Sequence, residues 1–247
     1  MGLLNLPAVE SSLRQVQREF EVLNRQLSGQ RDPMSDEVVA NLLAGYAFVD
    51  TLVEEGIDVF VMGQHKYLLE LNNIVLCGQD QTLRAEFAGL IAATRERFYD
   101  EPGGGIEDLV EWRARHRDLP VWDRAAGLYV WTLSKPQLFI EGNHRTGVLM
   151  ASYVLLRGGK PPFVLSPDNA AAYFEPSTVV RNIGKLGPVA LFRLPGLIRR
   201  FARFLQDQAN PAYLLAPGTP GVAPSPRPDP DRHPLANPTQ GHNDTVP

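Results

Sequence analysis

Apolar residues recur three and four positions apart through most of the chain, which is the spacing of helices that bury one face. The first predicted helix, residues 9–28, carries an apolar stripe formed by Leu13, Val16, Phe20, Leu23 and Leu27. The second opens with Ser35 as its N-cap and ends at Gly56. Further helices are predicted over residues 64–76, 81–98, 107–115, 123–134, 143–157 and 191–206, with one more opening at Ser166 and Pro167. The pattern therefore predicts an all-α fold, and its best strand signal is a short hairpin around residues 103–105.

The predicted helix over residues 143–157 differs from the others in its pattern. Residues 148–156 are apolar on nearly every face, which is typical of a helix buried at the centre of a fold. The helix before it is stopped by Pro136, because proline disrupts helical hydrogen bonding. The short segment 137–143 therefore leads directly into the N-terminus of the most buried helix.

Composition excludes several classes of protein. A chain of 247 residues that is 44% hydrophobic can bury a core, so disorder of the whole chain is excluded. A net charge of -4 without a long basic run argues against a nucleic-acid partner. Cys77 is the only cysteine, which favours a reducing compartment, and the longest apolar run is too short for a bilayer. We therefore expect a cytoplasmic protein that binds neither nucleic acid nor membrane.

The chain divides into three parts by pattern. Residues 1–62 hold the N-terminal helices, and residues 63–210 hold the core helices. Ten of the 21 prolines fall within residues 211–247, mixed with glycine and polar residues. Such a segment has too little apolar surface to offset its chain entropy, so we expect a disordered proline-rich tail there.

The candidate chemistry lies in the run Glu141-Gly142-Asn143-His144-Arg145 at the start of the buried helix. A helix N-terminus presents unpaired N–H groups and a partial positive charge, which suit an anion. Gly142 lets the backbone curve around a phosphate, and the Arg145 guanidinium matches phosphate oxygens. Glu141 would repel a phosphate unless a cation bridged them, which suggests Mg²⁺. From composition alone, a capping acid, a glycine turn and a surface arginine explain the run equally well.

This loop resembles the signature of the Fic/Doc (Fido) family, His-x-Phe-x-(Asp/Glu)-Gly-Asn-(Gly/Lys)-Arg. The chain matches that pattern in register at Phe139, Glu141, Gly142, Asn143 and Arg145. The resemblance implies a Fic-type helical bundle with a small β-hairpin flap, and a protein that binds ATP or another nucleoside triphosphate with Mg²⁺. It also implies that Phe139 packs beneath the loop, that Glu141 holds the metal, that residues 142–144 form the phosphate nest and that Arg145 clamps a phosphate.

The chain departs from the family pattern at two positions. Gln137 stands where the family has the histidine that takes the proton from the target hydroxyl, and an amide cannot act as a general base. His144 is a conceivable replacement. Val148 stands where AMP-transferring members carry a second arginine, and the ending Arg145-Thr146-Gly147 looks more like Doc, which phosphorylates its target.

Two further segments match features of the family. Thr51-Leu52-Val53-Glu54-Glu55-Gly56 fits the loose motif (Ser/Thr)-x-x-x-Glu-(Gly/Asn) of an inhibitory helix, and an ordinary helix end explains it equally well. Residues 98–109, with three glycines, fall where family members have a hairpin flap that docks target peptide by strand addition. An ordinary glycine loop is the alternative there.

Three functions remain open at this point. The first is a transferase that moves AMP from ATP to a protein hydroxyl, with altered or weak catalysis because of Gln137. The second is a catalytically silent module that binds a nucleotide or another phosphate ligand as a regulatory signal. The third is a Doc-like kinase or toxin. Whether the chain is an enzyme therefore depends on whether the loop catalyses group transfer or only binds a ligand.

Overall fold

The computed structural model describes residues 2–27, 29–185 and 187–216. Within this part of the chain, helices follow one another and the strand pairing consists of isolated bridges. The helices are α1 Leu6–Gln26, α2 Asp36–Glu54, α3 Lys66–Cys77, α4 Gln81–Glu86, α5 Ala88–Asp100, α6 Ile106–Arg115, α7 Val121–Leu133, α8 Asn143–Arg157, α9 Pro167–Val180 and α10 Pro188–Asp207. The all-α prediction is confirmed. Each helix in the described ranges is too short or too polar to cross a bilayer.

Helix α8 lies at the centre of the core, as its continuous apolar run predicts. Twelve of its 15 residues are buried. It packs against α7, where Gly147 lies beside the Leu133 side chain, and against α2, where a Cβ on Gly45 would be 2.5 Å from Leu149. The N-terminal helices therefore share one hydrophobic core with the rest of the fold.

The predicted helix over residues 81–98 is two helices, with a break at Phe87. The two helices pack against different partners. Arg84 of α4 forms a paired contact with buried Glu70 of α3 and also donates to the Gly78 carbonyl. Phe98 of α5 instead stacks on Phe139, with ring centroids 5.7 Å apart. This stacking brings α5 to the candidate loop.

The hairpin predicted around residues 103–105 is wrong. This segment is a tight turn between α5 and α6, in which the N–H groups of Gly104 and Gly105 both donate to the Glu101 carbonyl. Gly103 has a φ of 71°, and Gly104 lies so close to the chain that an added Cβ would be 2.4 Å from Pro136. The glycines therefore allow a tight turn close to Pro136, and they do not form a strand pair. No strand edge for peptide addition exists in the described part of residues 98–109.

The predicted start of the tail at residue 211 is also wrong. Residues 211–213 form a turn of 3₁₀ helix, and the Tyr213 side chain is buried against α1. Leu214 pairs with Leu4, and the Leu215 N–H donates to the Leu3 carbonyl. The two ends of the described chain therefore meet on the core, where Tyr213 and Leu214 supply the apolar contacts. The remainder of the predicted tail, residues 217–247, lies outside the described residues.

Candidate functional site

The candidate loop runs from the end of α7 to the start of α8, and two of its side chains are buried in the core. Its Leu138 and Phe139 side chains are fully buried, whereas Ile140 and Glu141 are exposed. The buried pair anchors the loop in the core beneath the first turn of α8. The exposed residues then leave the N-terminus of α8 open on its outer side.

Gly142 is required at its position for two independent reasons. It is the N-cap of α8 in a left-handed conformation, with φ at 74°. A Cβ added there would also lie 2.9 Å from the Asn72 amide nitrogen and 3.3 Å from a Leu76 methyl group. L-residues rarely adopt this conformation, and the α3 side chains leave no room for one. The glycine in the motif is therefore a structural requirement of this turn.

Asn143 closes the loop with its side chain. Its Oδ1 accepts from the Phe139 N–H at 2.9 Å, and its Nδ2 donates to the Phe139 carbonyl at 2.8 Å. Both backbone groups of a buried residue are thus satisfied by one amide side chain. The Asn143 side chain is therefore committed to the loop backbone and is not available to a ligand.

Asn72 on α3 supports the loop from below, and the sequence analysis missed it. It is fully buried, and its Nδ2 donates to the Glu141 carbonyl and to the Thr146 hydroxyl, both at 3.0 Å. These contacts fix the carbonyl before Gly142 and the first turn after it. An apolar helix with one asparagine among its buried residues is the signal that would have pointed to this position.

The first turn of α8 keeps its anion-binding capacity. Its N-cap has no side chain to satisfy the N–H groups, and the first helical bond runs from the Thr146 N–H to the Gly142 carbonyl at 2.9 Å. The N–H groups of residues 143–145 therefore precede the helical ladder. Together with the positive end of the helix dipole, they are the groups on which the nest predicted from the sequence depends, and the nest stays a prediction.

Arg145 lies beside this nest but is directed to α3 in the present arrangement. Its Nη1 donates to the Val75 carbonyl at 3.1 Å. Burial lowers the pKa of its guanidinium, and the nearby Glu141 and Glu37 carboxylates act in the opposite direction. The group remains a cation at neutral pH because its ordinary pKa exceeds 12. A bound phosphate would compete with one backbone carbonyl for its donors.

Glu141 is the acidic residue of the loop and is exposed to solvent. Within the described ranges, no group of three or more His, Cys, Asp or Glu side chains could hold a metal ion. A single carboxylate fits Mg²⁺ only when phosphate oxygens and water complete the octahedron, which is how this ion is commonly bound. The residues present therefore fit a metal that arrives with a phosphate ligand.

The side chain and the backbone carbonyl of Gln137 are both hydrogen-bonded within the protein. Its Nε2 donates to the Leu133 carbonyl at 3.1 Å, and its Oε1 accepts from Asn143 at 3.5 Å. Its own carbonyl accepts from the Arg97 Nε at 2.8 Å. The Gln137 side chain therefore links the C-terminal end of α7 to Asn143 of the loop. Arg97, a second residue that the sequence analysis missed, fixes its backbone.

His144 turns its side chain into the protein. Its Nδ1 lies 3.4 Å from the Tyr129 hydroxyl, and its Nε2 is buried without a hydrogen-bond partner among the described residues. Burial, followed by the positive charges of Arg31 and Arg181, lowers the pKa of His144 to about 4. The imidazole is therefore neutral at pH 7. A base of such low pKa accepts a proton poorly, so the arrangement does not favour His144 as the replacement for the missing histidine.

The structure does not bring Thr51, Glu55 and Gly56 to the loop. They lie at the C-terminal end of α2, which ends beside the C-terminal end of α8. There the Ile57 carbonyl accepts from Tyr153 and from Arg157 of α8. Arg157 is twelve residues beyond Arg145 on the same helix, or about 18 Å along its axis. The inhibitory motif is therefore remote from the candidate nest.

The turn before α8 thus combines buried asparagine contacts, a left-handed glycine cap and an arginine at a helix N-terminus. Two curated relatives are similar to part of this chain. The chain is 26% identical over 131 residues to protein adenylyltransferase fic-1 of Caenorhabditis elegans, and 31% identical over 86 residues to the fic-1 protein of Caenorhabditis briggsae. These similarities confirm the resemblance to the Fic/Doc (Fido) domain family.

The matched regions are partial. They cover 52% and 34% of this chain, but only 24% and 16% of the two relatives. No family model matches the chain. Among solved structures, a Fic domain containing signaling protein from Bacteroides thetaiotaomicron aligns with a TM-score of 0.45 at 16% identity, covering 81% of this chain and 80% of that one.

Proposed function

We propose that this protein binds ATP with Mg²⁺ at the N-terminus of α8 and transfers AMP to a hydroxyl of a protein target. The hydroxyl oxygen bonds to the α-phosphorus, the bond from that phosphorus to the β-phosphate bridging oxygen breaks, pyrophosphate leaves and the hydroxyl proton passes to solvent water. The observation that carries the proposal is the uncapped first turn of α8, with Gly142 in a left-handed conformation and the N–H groups of residues 143–145 ahead of the helical ladder. The name adenylyltransferase borne by both curated relatives supports the choice of reaction.

Each loop residue has a part in this proposal. The backbone N–H groups of residues 143–145 bind phosphate oxygens, and Arg145 leaves the Val75 carbonyl to pair with the same phosphates. Glu141 would hold Mg²⁺, which would neutralise part of the phosphate charge when bound. Asn143 and Asn72 keep the turn in shape, so that binding requires little rearrangement of the backbone.

The weak point of the proposed reaction is the acceptance of the hydroxyl proton. Gln137 cannot take it, since an amide has no suitable pKa, and its Nε2 is already bonded to the Leu133 carbonyl. Loss of a general base typically lowers a rate by about 10²–10⁴. We therefore expect slow transfer, in which the nest and Arg145 position the nucleotide without help from a base.

The same contacts of Gln137 favour a second function, a catalytically silent module that binds a nucleotide as a regulatory signal. In that case the turn binds nucleotide with similar affinity, and no group is transferred. The two functions share the site and differ only in chemistry. A measurement of group transfer separates them, while a measurement of binding does not.

The test uses the full chain with ATP labelled at either the α- or the γ-phosphate, with and without Mg²⁺. Covalent α-label on the protein or on an added target supports AMP transfer, and γ-label would indicate a Doc-like kinase instead. Arg145→Ala should abolish labelling and nucleotide binding, while Arg203→Ala, at an exposed position on α10, should leave both unchanged. Binding without any label would establish the silent module, and absence of binding would refute the nucleotide site.

A further inference from the structure

A cavity of about 490 Å³ lies between α9 and α10. Both helices pack against α7 but not closely against each other, so the space between them stays open. Its walls are almost entirely apolar, formed among others by Ala172, Pro176, Val180, Leu197, Phe201 and Phe204. Small-molecule sites in proteins typically enclose roughly 300–1,000 Å³ and are lined in this way, with a few polar groups that fix orientation. We refer to this cavity as the α9–α10 cleft.

The α9–α10 cleft is separate from the candidate loop. Among the described residues that line it, none belongs to the loop, residues 137–145. Other residues of α9, including Tyr173 and Phe174, line a different cavity beside His144 and Arg145. A ligand in the α9–α10 cleft is therefore distinct from the nucleotide proposed above.

One wall of the α9–α10 cleft presents a row of stacked aromatic rings. The ring centroids of Tyr129 and Phe201 are 4.3 Å apart, and the two ring planes are 18° from parallel. Phe204 continues the row, with its centroid 5.6 Å from that of Phe201 and its plane at 26°. Because aromatic rings gain energy from stacking beyond the area that they bury, this row favours a ligand with a flat aromatic body.

The positive charge at the cleft comes from α10. Arg200 lines the cleft at an exposed position, and no hydrogen bond or ion pair joins its guanidinium to another residue that the structure describes. Glu175 lines the cleft from α9, but it already has an interaction partner within the protein. The acidic residue of α10 is Asp207, against arginines at positions 193, 199, 200 and 203. The cleft therefore offers one open guanidinium, which suits one anionic group on a ligand.

We propose that the α9–α10 cleft binds a small aromatic acid. The ring body of the ligand packs against Tyr129, Phe201 and Phe204, and its acidic group pairs with the Arg200 guanidinium. Burial of apolar surface supplies most of the affinity, since the walls are apolar. Arg200 selects the acid over an uncharged compound of the same shape. This site does not depend on the nucleotide function, because the cleft and the loop share no residue.

The role of Arg200 is tested by fluorescence titration of the full chain with two dyes, anilinonaphthalene sulfonate and its uncharged counterpart phenylnaphthylamine. Arg200→Gln should weaken binding of the sulfonate by about fivefold, as expected for the loss of an exposed ion pair. Binding of phenylnaphthylamine should change by less than about twofold, because it has no charge to lose a partner. Arg203→Gln, at an exposed position of α10 that does not line the cleft, is the matched control. An equal effect of Arg200→Gln on both dyes, or no effect on either, would contradict the proposal.

The role of the cleft itself is tested with Ala172→Trp, at an exposed position of α9 that lines it. The indole occupies the volume of the ligand, so both dyes should bind at least about 10-fold more weakly. Val22→Trp, at a position on α1 that is 57% exposed, is the control for added bulk. Val38→Trp fills the other cavity, beside the loop, and should leave both affinities unchanged.

Three results would overturn the inference. The first is that the unmodified protein binds neither dye. The second is that Ala172→Trp leaves both affinities unchanged or that Val38→Trp abolishes them, since the dyes then bind elsewhere. The third is that sedimentation shows a dimer of the full chain which Ala172→Trp dissociates, because a second copy then occupies the cleft.

Discussion

Two segments of this chain match short motifs of the same family, and they differ in their three-dimensional surroundings. The loop before α8 is held by residues from α3, α5 and α8 itself, including Asn72, Arg97 and Asn143. The segment 51–56 at the end of α2 makes the bonds of an ordinary helix end, such as that of Thr51 to the Ala47 carbonyl. Hydrogen bonds from residues distant in sequence, such as Asn72 and Arg97, therefore support the loop before α8, as we expect for a binding site.

The largest effect should come from restoring a base at the supported loop. Gln137→His in the full chain should raise α-phosphate labelling by about 10²–10⁴, the range for a general base placed next to its proton donor. The carbonyl of residue 137 stays bonded to Arg97, so the imidazole begins from a fixed backbone. Initial rates of labelling at saturating ATP provide the measurement. A variant that binds ATP as before and transfers nothing would favour the silent module.

A second prediction concerns the titration of His144 within the supported loop. Its pKa is about 4 in the folded chain and about 6.5 when unfolded, so between these values the unfolded chain binds more protons. The stability due to this group is fully present above pH 6.5 and is lost as the pH falls toward 4, by on the order of 3 kcal/mol.

Urea unfolding at several pH values between 4 and 7 measures this dependence. His144→Gln should flatten the slope over that window relative to the unmodified chain, because glutamine does not titrate. The loss of the contact with Tyr129 lowers stability equally at each pH and does not affect the slope. Parallel slopes for the two proteins would show that His144 is not buried as described.

The asparagine beneath the loop provides a third test. Asn72→Ala removes the donor to the Glu141 carbonyl and to the Thr146 hydroxyl, and should cost about 1–3 kcal/mol of unfolding free energy. It should also weaken nucleotide binding, because the turn loses its support. Thr51→Ala, the counterpart at the remote segment, should stay within about 0.5 kcal/mol, since Thr51 bonds only within its own helix. Equal losses for the two variants would contradict the distinction drawn here.

Residues close in sequence could be predicted from the pattern, whereas residues close only in space could not. The buried helix α8 and its loop follow from a local apolar run and a local motif. Asn72 lies 69 residues before Glu141, and Arg97 lies 40 residues before Gln137. No local periodicity reports such pairings, which depend on how α3 and α5 pack. The error at residue 211 has the same origin, because Tyr213 is buried by α1 from the opposite end of the described chain.

Glycine provides a smaller but cleaner comparison between the two segments. Gly142 and Gly56 have nearly equal φ values of 74° and 68°. Alanine at either position therefore carries a similar backbone strain of about 1 kcal/mol. Only Gly142 is crowded, with Asn72 2.9 Å from an added Cβ, whereas nothing lies within 4 Å at Gly56. Gly142→Ala should weaken ATP binding and lower the melting temperature further than Gly56→Ala, which should leave ATP binding unchanged. Loss of binding in both variants would mean that the backbone strain alone, and not the crowding, disturbs the site.

The smallest expected effect is that of Glu55, and it is the most direct test of the remote segment. Glu55→Gln removes one negative charge at the end of α2, which lies near Arg157, about 18 Å from Arg145 along the α8 axis. At physiological ionic strength this is about two screening lengths, so the electrostatic influence on the nest is small. Labelling by ATP and the affinity for ATP should therefore change by less than about twofold. An inhibitory helix behaves differently, because removing its glutamate relieves a block and raises activity. A tenfold rise in labelling in Glu55→Gln, absent in the neighbouring variant Glu54→Gln, would show that the end of α2 reaches the loop in another arrangement of the chain.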